Sequence, residues 1–141
     1  MPTETLYKTV LLDHFRHPRN KGDLKDADIV RRGSNPKCGD EVEIGLYLRG
    51  SRIDRVRFRG RGCSICIASA SMMTEAVGGM ATDQASCLCA SINIWFESDI
   101  GGTPETVSEK LEALSAVRDY PARRRCVLLS WEALSDAIDA L

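Results

Sequence analysis

Glu41-Val42-Glu43-Ile44-Gly45-Leu46-Tyr47-Leu48, followed by Asp54-Arg55-Val56-Arg57-Phe58-Arg59-Gly60-Arg61, is the stretch on which the fold turns. In the first segment Val42, Ile44, Leu46 and Leu48 share one face, and Glu41, Glu43 and Tyr47 the other. In the second, Val56 and Phe58 alternate with Arg55, Arg57, Arg59 and Arg61. A period of two marks half-buried strands, and two such runs around a short turn make a hairpin. A turn of Gly50-Ser51 alone would set apolar residues opposite charged ones. A loop of Gly50-Ser51-Arg52 sets Glu43 across from Arg59, Glu41 across from Arg61 and Ile44 against Phe58. Register follows the apolar pattern, so the longer loop is expected. The arginine row, faced by glutamates in a chain of net charge −1, reads as a solvated, ion-paired face rather than an RNA surface.

Working outward, the hairpin is entered through Asn35-Pro36-Lys37-Cys38-Gly39-Asp40. Asn-Pro opens a turn, because proline fixes its own φ and keeps the preceding residue out of the helical region. Gly39 lets the backbone bend so that the Cys38 thiol and the Asp40 carboxylate can face one point. A soft and a harder donor presented together form half of a metal site. The hairpin is left through Gly60-Arg61-Gly62-Cys63 into the small-residue run Ser64 to Val77, a helix able to sit close on a sheet and ended by Gly78-Gly79. Cys63 then stands at a helix N-terminus, where free N–H groups and the dipole favour a thiolate.

Further out, Leu6, Tyr7, Val10, Leu11, Leu12 and Phe15 recur at helical spacing, predicting an amphipathic helix from Thr3 to His17 that Pro18 stops. His14 and His17, with no cysteine nearby in sequence, read as solvated or capping. Asn20 to Asp23 is a turn, and Ile29 and Val30 a short edge strand. Thr82 to Phe96 reads as a helix opened by Thr82 or Asp83, and Glu97 to Thr106 as a loop containing Gly101, Gly102 and Pro104. Pro104 to Leu114 reads as a short helix with Val107, Leu111 and Leu114 on one side. Tyr120-Pro121 breaks the chain before Arg123-Arg124-Arg125-Cys126. A final amphipathic helix runs from Val127 to Leu141 with Cys126 at its start. The expected class is α+β: a small antiparallel sheet of about three strands against five or so helices, in one domain over residues 1–141.

Length and composition narrow the function. A chain of 141 residues suits one domain with a sizeable core. Its near-neutral charge recruits neither nucleic acid nor an anionic membrane, and no segment approaches the ~20 apolar residues of a membrane span. The first ten residues lack the basic flank and apolar run of a secretory signal. Six cysteines in such a chain point to a reducing cytoplasm, where thiols bind metal, react or pack. Cys63-Ser64-Ile65-Cys66 has the CxxC spacing of redox sites and zinc knuckles, but a hairpin rather than a βαβ unit precedes it. Cys66 therefore reads as a packed helix residue, still on the same helical face as Cys63. Cys87 and Cys89 also read as core.

Several runs resemble the NifU/IscU/SufU iron–sulfur assembly proteins. Leu11-Leu12-Asp13-His14-Phe15-Arg16-His17-Pro18-Arg19-Asn20 is similar to their opening helix, and Asn35 to Asp40 to their first cysteine motif. Gly62-Cys63-Ser64-Ile65 with Ala68 to Glu75 resembles the second, and Arg125-Cys126-Val127-Leu128-Leu129-Ser130-Trp131 the third. The 62 residues between Cys63 and Cys126 leave room for an inserted segment around Ile100 to Val117, which IscU-type scaffolds lack and SufU-type proteins carry. Arg125 stands where IscU-type proteins place histidine, and Tyr120-Pro121-Ala122-Arg123-Arg124 replaces their chaperone tag. All three departures point to the SufU type.

That resemblance implies an IscU/SufU-like fold and zinc held by Cys38, Asp40, Cys63 and Cys126. It also implies a SufS-type cysteine desulfurase as partner, with persulfide sulfur passing on to a downstream scaffold or apo-protein. The residues suit such chemistry: three thiolates and a carboxylate close a zinc site, so reaction requires a ligand to leave. Cys38, on a glycine-flexed turn, is the expected catalytic thiol by zinc-ligand exchange. Arg123 and Arg125, flanking the third cysteine, are candidates for docking an acidic rim. The alternative is a scaffold on which a [2Fe–2S] cluster is built from iron at the same ligands. A zinc module without transfer chemistry is the blander reading. Cys66 departs from the family's usual residue, leaving a further ligand or acceptor open.

Overall fold

The computed structural model describes residues 3–98 and 103–141. Three strands, β1 (Ile29–Asn35), β2 (Asp40–Arg49) and β3 (Arg52–Arg61), form an antiparallel sheet in that order. Helices α1 (Thr3–Arg16), α2 (Ser64–Val77), α3 (Thr82–Glu97) and α4 (Pro121–Asp139), with a 3₁₀ helix at Glu109–Val117, complete the described elements. Helices α2 and α4 lie on the sheet and against each other, α1 packs on α2 and the 3₁₀ helix, and α3 packs on α4. This is the α+β architecture expected from the sequence. No helix among the described residues is long and apolar enough to cross a membrane.

The hairpin register is the expected one: Glu41 pairs with Arg61, Glu43 with Arg59 and Ile44 with Phe58. The loop is not. Arg49 pairs with Arg52, so the turn is Gly50-Ser51 alone. The register shifts between Tyr47, opposite Arg55, and Leu48, opposite Ile53, leaving Asp54 as an extra residue. That β-bulge reconciles a tight turn with the apolar register. Glu43 pairs with Arg59 at 3.1 Å and Glu41 with Arg32 at 3.0 Å, so the outer face is ion-paired. Tyr47, on that face, is nonetheless buried beneath Arg55, whose guanidinium lies 4.2 Å from the ring centre.

Helical boundaries needed more correction. Helix α1 buries Leu11 and His14 and half-buries Tyr7 and Val10, while Leu6, Leu12 and Phe15 are exposed. The buried stripe follows the seven-residue step from Tyr7 to His14, with a histidine completing it. His14 is thus neither solvated nor a cap: it is 7% exposed, and its Nδ1 lies 2.8 Å from the Ser71 hydroxyl. Strand β1 continues past Val30 to the Asn35 turn. Ala81 rather than Thr82 or Asp83 caps α3, with the Gln84 side-chain oxygen accepting the Ala81 N–H at 3.1 Å. The helix expected at Pro104 to Leu114 is the 3₁₀ segment Glu109–Val117, although Val107, Leu111 and Leu114 do share the core. Cys89 is buried as expected, whereas Cys87 is exposed, because residues two apart on a helix diverge. Gly101, Gly102 and the start of the expected insertion at Ile100 lie outside the described residues.

Helix α4 begins at Pro121, so Cys126 lies inside its second turn rather than at its start. Proline's fixed φ suits the first helical position, and the signal read as a break was a beginning. The helix is held on α2 by Ser69, whose hydroxyl donates to the Val127 carbonyl at 2.7 Å and accepts the Trp131 indole N–H at 3.2 Å. It also presses on β1, where a Cβ on Gly33 would sit 2.8 Å from the Leu129 carbonyl oxygen.

Candidate metal centre

Three separate elements deliver their side chains to one end of the sheet. Between β1 and β2 the chain reverses tightly: the Cys38 N–H donates to the Asn35 carbonyl at 3.1 Å, and Asn35 pairs with Asp40. Gly39 takes φ +72°, the left-handed value that an L side chain rarely adopts. Cys38 is left exposed at the tip, and Asp40, opening β2, is 2% exposed. The β2–β3 register then carries the end of β3 back past Asp40. There Cys63 caps α2, and its backbone N–H donates to Asp40 Oδ1 at 3.0 Å. A slip by one residue would send the carboxylate to the other face.

The sulfurs of Cys38 and Cys126 and a carboxylate oxygen of Asp40 all lie within 4.8 Å of one another. Cys63 Sγ stands 3.9 Å from Asp40 Oδ2, outside that mutual set. Tetrahedral zinc with sulfur ligands separates its donors by about 3.8 Å, so the set needs only a small contraction to close around a cation. Asp40 is already arranged for one: Oδ1 is engaged by the Cys63 N–H, and Oδ2 faces the thiols.

Electrostatics point the same way. Burial pushes the Cys126 thiol well above its usual range, and hydrogen bonding and charge from Asp40 and Cys63 add to it. A bound divalent cation would offset this penalty on the Cys126 thiolate. Soft thiolates with one carboxylate fit zinc, or iron in a cluster, rather than calcium or magnesium.

The consecutive arginines before Cys126 have three different tasks. Arg123 is exposed, and the negative charge of Cys63, with hydrogen bonds to the Cys126 and Cys63 thiols, raises its pKa. Arg124 turns inward, donating to the carbonyls of Arg118 at 2.6 Å and Phe96 at 3.2 Å. Arg125 pairs with Glu132. Of the two docking candidates, only Arg123 addresses the thiols.

Gly62 went unnoticed as a site residue. A Cβ there would meet Asp40 Oδ1 at 2.8 Å and Cys66 Sγ at 3.2 Å. Only glycine lets the exit from β3 press this closely on the carboxylate. The glycines flanking Arg61 signalled close approach, but not what was approached. Cys66 is wholly buried on the inner side of the site.

With this geometry in view, residues 6–140 match the model of the NifU-like N-terminal domain. The chain is 40% identical over 138 residues to the zinc-dependent sulfurtransferase SufU of Bacillus subtilis, covering 96% of this chain and 90% of that protein. It is 33% identical over 133 residues to the iron–sulfur cluster assembly scaffold protein IscU of Streptococcus pyogenes, covering 94% and 82%. The crystal structure of the N-terminal part of a NifU-like protein from Brucella abortus shares the fold, with a TM-score of 0.83 at 24% identity over 96% of this chain and 94% of that one.

Proposed function

This chain belongs to the NifU-like N-terminal domain family of iron–sulfur cluster assembly proteins, and we propose that in cluster assembly it is a zinc-dependent acceptor of persulfide sulfur from a SufS-type cysteine desulfurase. Cys38, Asp40, Cys63 and Cys126 would hold the zinc, which supplies thiolates at neutral pH by keeping the bound cysteines deprotonated. The observation that carries the reading is a contrast in burial within one donor set. Asp40 and Cys126 are buried and Cys63 is half-buried, whereas Cys38 is exposed on the tip of a hairpin turn.

Cys38 is thus the donor free to leave, and the only one an incoming partner meets first. Once free, its thiolate attacks the terminal sulfur of the partner's persulfide. A sulfur–sulfur bond forms at Cys38, the bond in the partner breaks, and the partner's cysteine departs as a thiolate. Asp40, fixed by the Cys63 N–H, and Cys126, fixed by the Ser69 clasp on α4, keep the remaining donors in place. Arg123 lies where it can meet an acidic rim on the desulfurase. The sulfur then goes to a downstream scaffold or apo-protein.

The relatives also include scaffolds, which would use the same ligands for a [2Fe–2S] cluster. Metal analysis of the purified protein, paired with a desulfurase turnover assay, separates the two. Zinc with strong stimulation of turnover is expected. An iron–sulfur cluster transferable to apo-proteins, without stimulation, would replace this reading with the scaffold.

A further inference from the structure

The mechanism above leaves one thiol beside the site without a task. Cys66 is fully buried, and its sulfur packs against the backbone of Gly62, immediately before Cys63 and next to the Asp40 carboxylate. Cys63, as N-cap of α2, turns its sulfur back over the first helical turn, where it accepts the Cys66 N–H at 3.5 Å. Residues at i and i+3 in such a turn have Cα atoms about 5 Å apart, inside the ~4.4–6.8 Å range a disulfide spans. Neither Cys87 nor Cys89, both on α3, shares this neighbourhood.

We propose that Cys63 and Cys66 are an oxidisable pair, which a peroxide converts to a disulfide and so withdraws Cys63 from the metal. The pairing of the thiols stands on its own geometry; its consequence for zinc rests on the ligand set proposed above. Cys63 is the half-buried member and Cys66 the wholly buried one, so it is Cys63 that meets the oxidant. Its thiolate attacks one peroxide oxygen, the O–O bond breaks, and hydroxide leaves, giving the Cys63 sulfenic acid. The Cys66 sulfur then attacks the sulfenic sulfur. The S–S bond forms, and the sulfenic hydroxyl leaves with the Cys66 proton as water. Two thiols are oxidised and one peroxide is reduced to two waters. Cys66 is wholly buried, so outside reagents do not reach it and the sulfur it meets is the one next to it.

The test is limited hydrogen peroxide treatment of the zinc-loaded full chain. Disulfides are assigned by peptide mapping, and released zinc is followed with a chromogenic chelator. The Cys63–Cys66 bond is expected to be the first to form, with zinc appearing in step. Cys66→Ser and Cys66→Ala should lack it and release zinc several-fold more slowly, with Cys63 stopping at the sulfenic acid. A first bond involving Cys38 or Cys126, or equal zinc release from wild type and both variants, would overturn the proposal. Formation of the Cys63–Cys66 bond with the zinc retained would uphold the pair and remove Cys63 from the ligand set instead.

Discussion

Asp40, the first residue of β2, accepts the backbone N–H of Cys63 at 3.0 Å, so the strand that opens on one candidate donor also fixes the N-terminus of the helix that another one caps. This bond joins two of the elements that form the candidate metal centre. Asp40→Asn keeps an acceptor oxygen and loses the charge, whereas Asp40→Ala loses both. Zinc affinity in a competition titration should fall in the order wild type, Asn, Ala, by roughly 10–100-fold where only the support is weakened. An alanine variant that binds zinc as tightly as wild type would remove Asp40 from the site.

Gly62→Ala tests the close approach from the other side. The added methyl would lie 2.8 Å from Asp40 Oδ1, and overpacking of this kind costs about 1–3 kcal/mol. Urea denaturation should register that loss together with weaker zinc binding. Unchanged stability and affinity would mean that the carboxylate is freer than described.

Ser69→Ala leaves the Trp131 indole N–H without its acceptor in the core and frees the Val127 carbonyl one residue after Cys126. The expected cost is about 1–3 kcal/mol, since a buried group is stranded. If Cys126 depends on that clasp, zinc affinity falls with stability. A loss of stability alone would show that α2 and α4 remain docked without it.

Charge reversal separates the arginines. Arg123→Glu should retain zinc yet lose at least about tenfold in apparent affinity for the desulfurase, because the charge faces the thiols. Arg125→Glu, whose native partner is Glu132, should lose much less. Equal effects would make the whole arginine run, rather than Arg123, the docking feature.

His14 gives a pH dependence that is independent of the metal. Burial holds its pKa below the usual histidine value, and Arg19 lowers it further, while Glu75 and Asp13 act in the opposite direction. Ser71 Oγ accepts the Arg19 N–H at 2.8 Å, which leaves its hydroxyl proton for His14 Nδ1 and suits the neutral ring. A depressed folded-state pKa means that the unfolded chain binds the proton more readily. The stabilisation is complete above the unfolded pKa and is lost as pH falls towards the folded one. Between about pH 7.5 and about pH 5.5 the wild type should lose more stability than His14→Gln at equal zinc content. Parallel curves would place the proton elsewhere.

The strands were legible because their two faces differ so sharply. Glutamates opposing arginines and Ile44 opposing Phe58 admit one register. The turn was not legible, because an extra residue in the loop and an extra residue in the strand satisfy the same pairing, and nothing in Asp54 marks a bulge. Cys38, Asp40 and Cys63 were visible through the turn and cap residues around them. The neighbourhood of Cys126 was misread where Pro121 served equally as a stop or as a first helical residue. His14 was read as solvated or capping because a polar residue on an apolar stripe is indistinguishable from a solvated one until its hydrogen-bond partner, 57 residues away, is in place.

The proposal that Cys38 alone leaves the donor set to take the sulfur can be checked by incubating the zinc-loaded protein with a SufS-type desulfurase and cysteine, trapping persulfides with an alkylating agent, and mapping the extra sulfur by mass spectrometry. The additional sulfur is expected on the peptide carrying Cys38 and is expected to be absent from Cys38→Ser. Extra sulfur on Cys63, Cys66 or Cys126 in the wild type, with Cys38 unmodified, would contradict it.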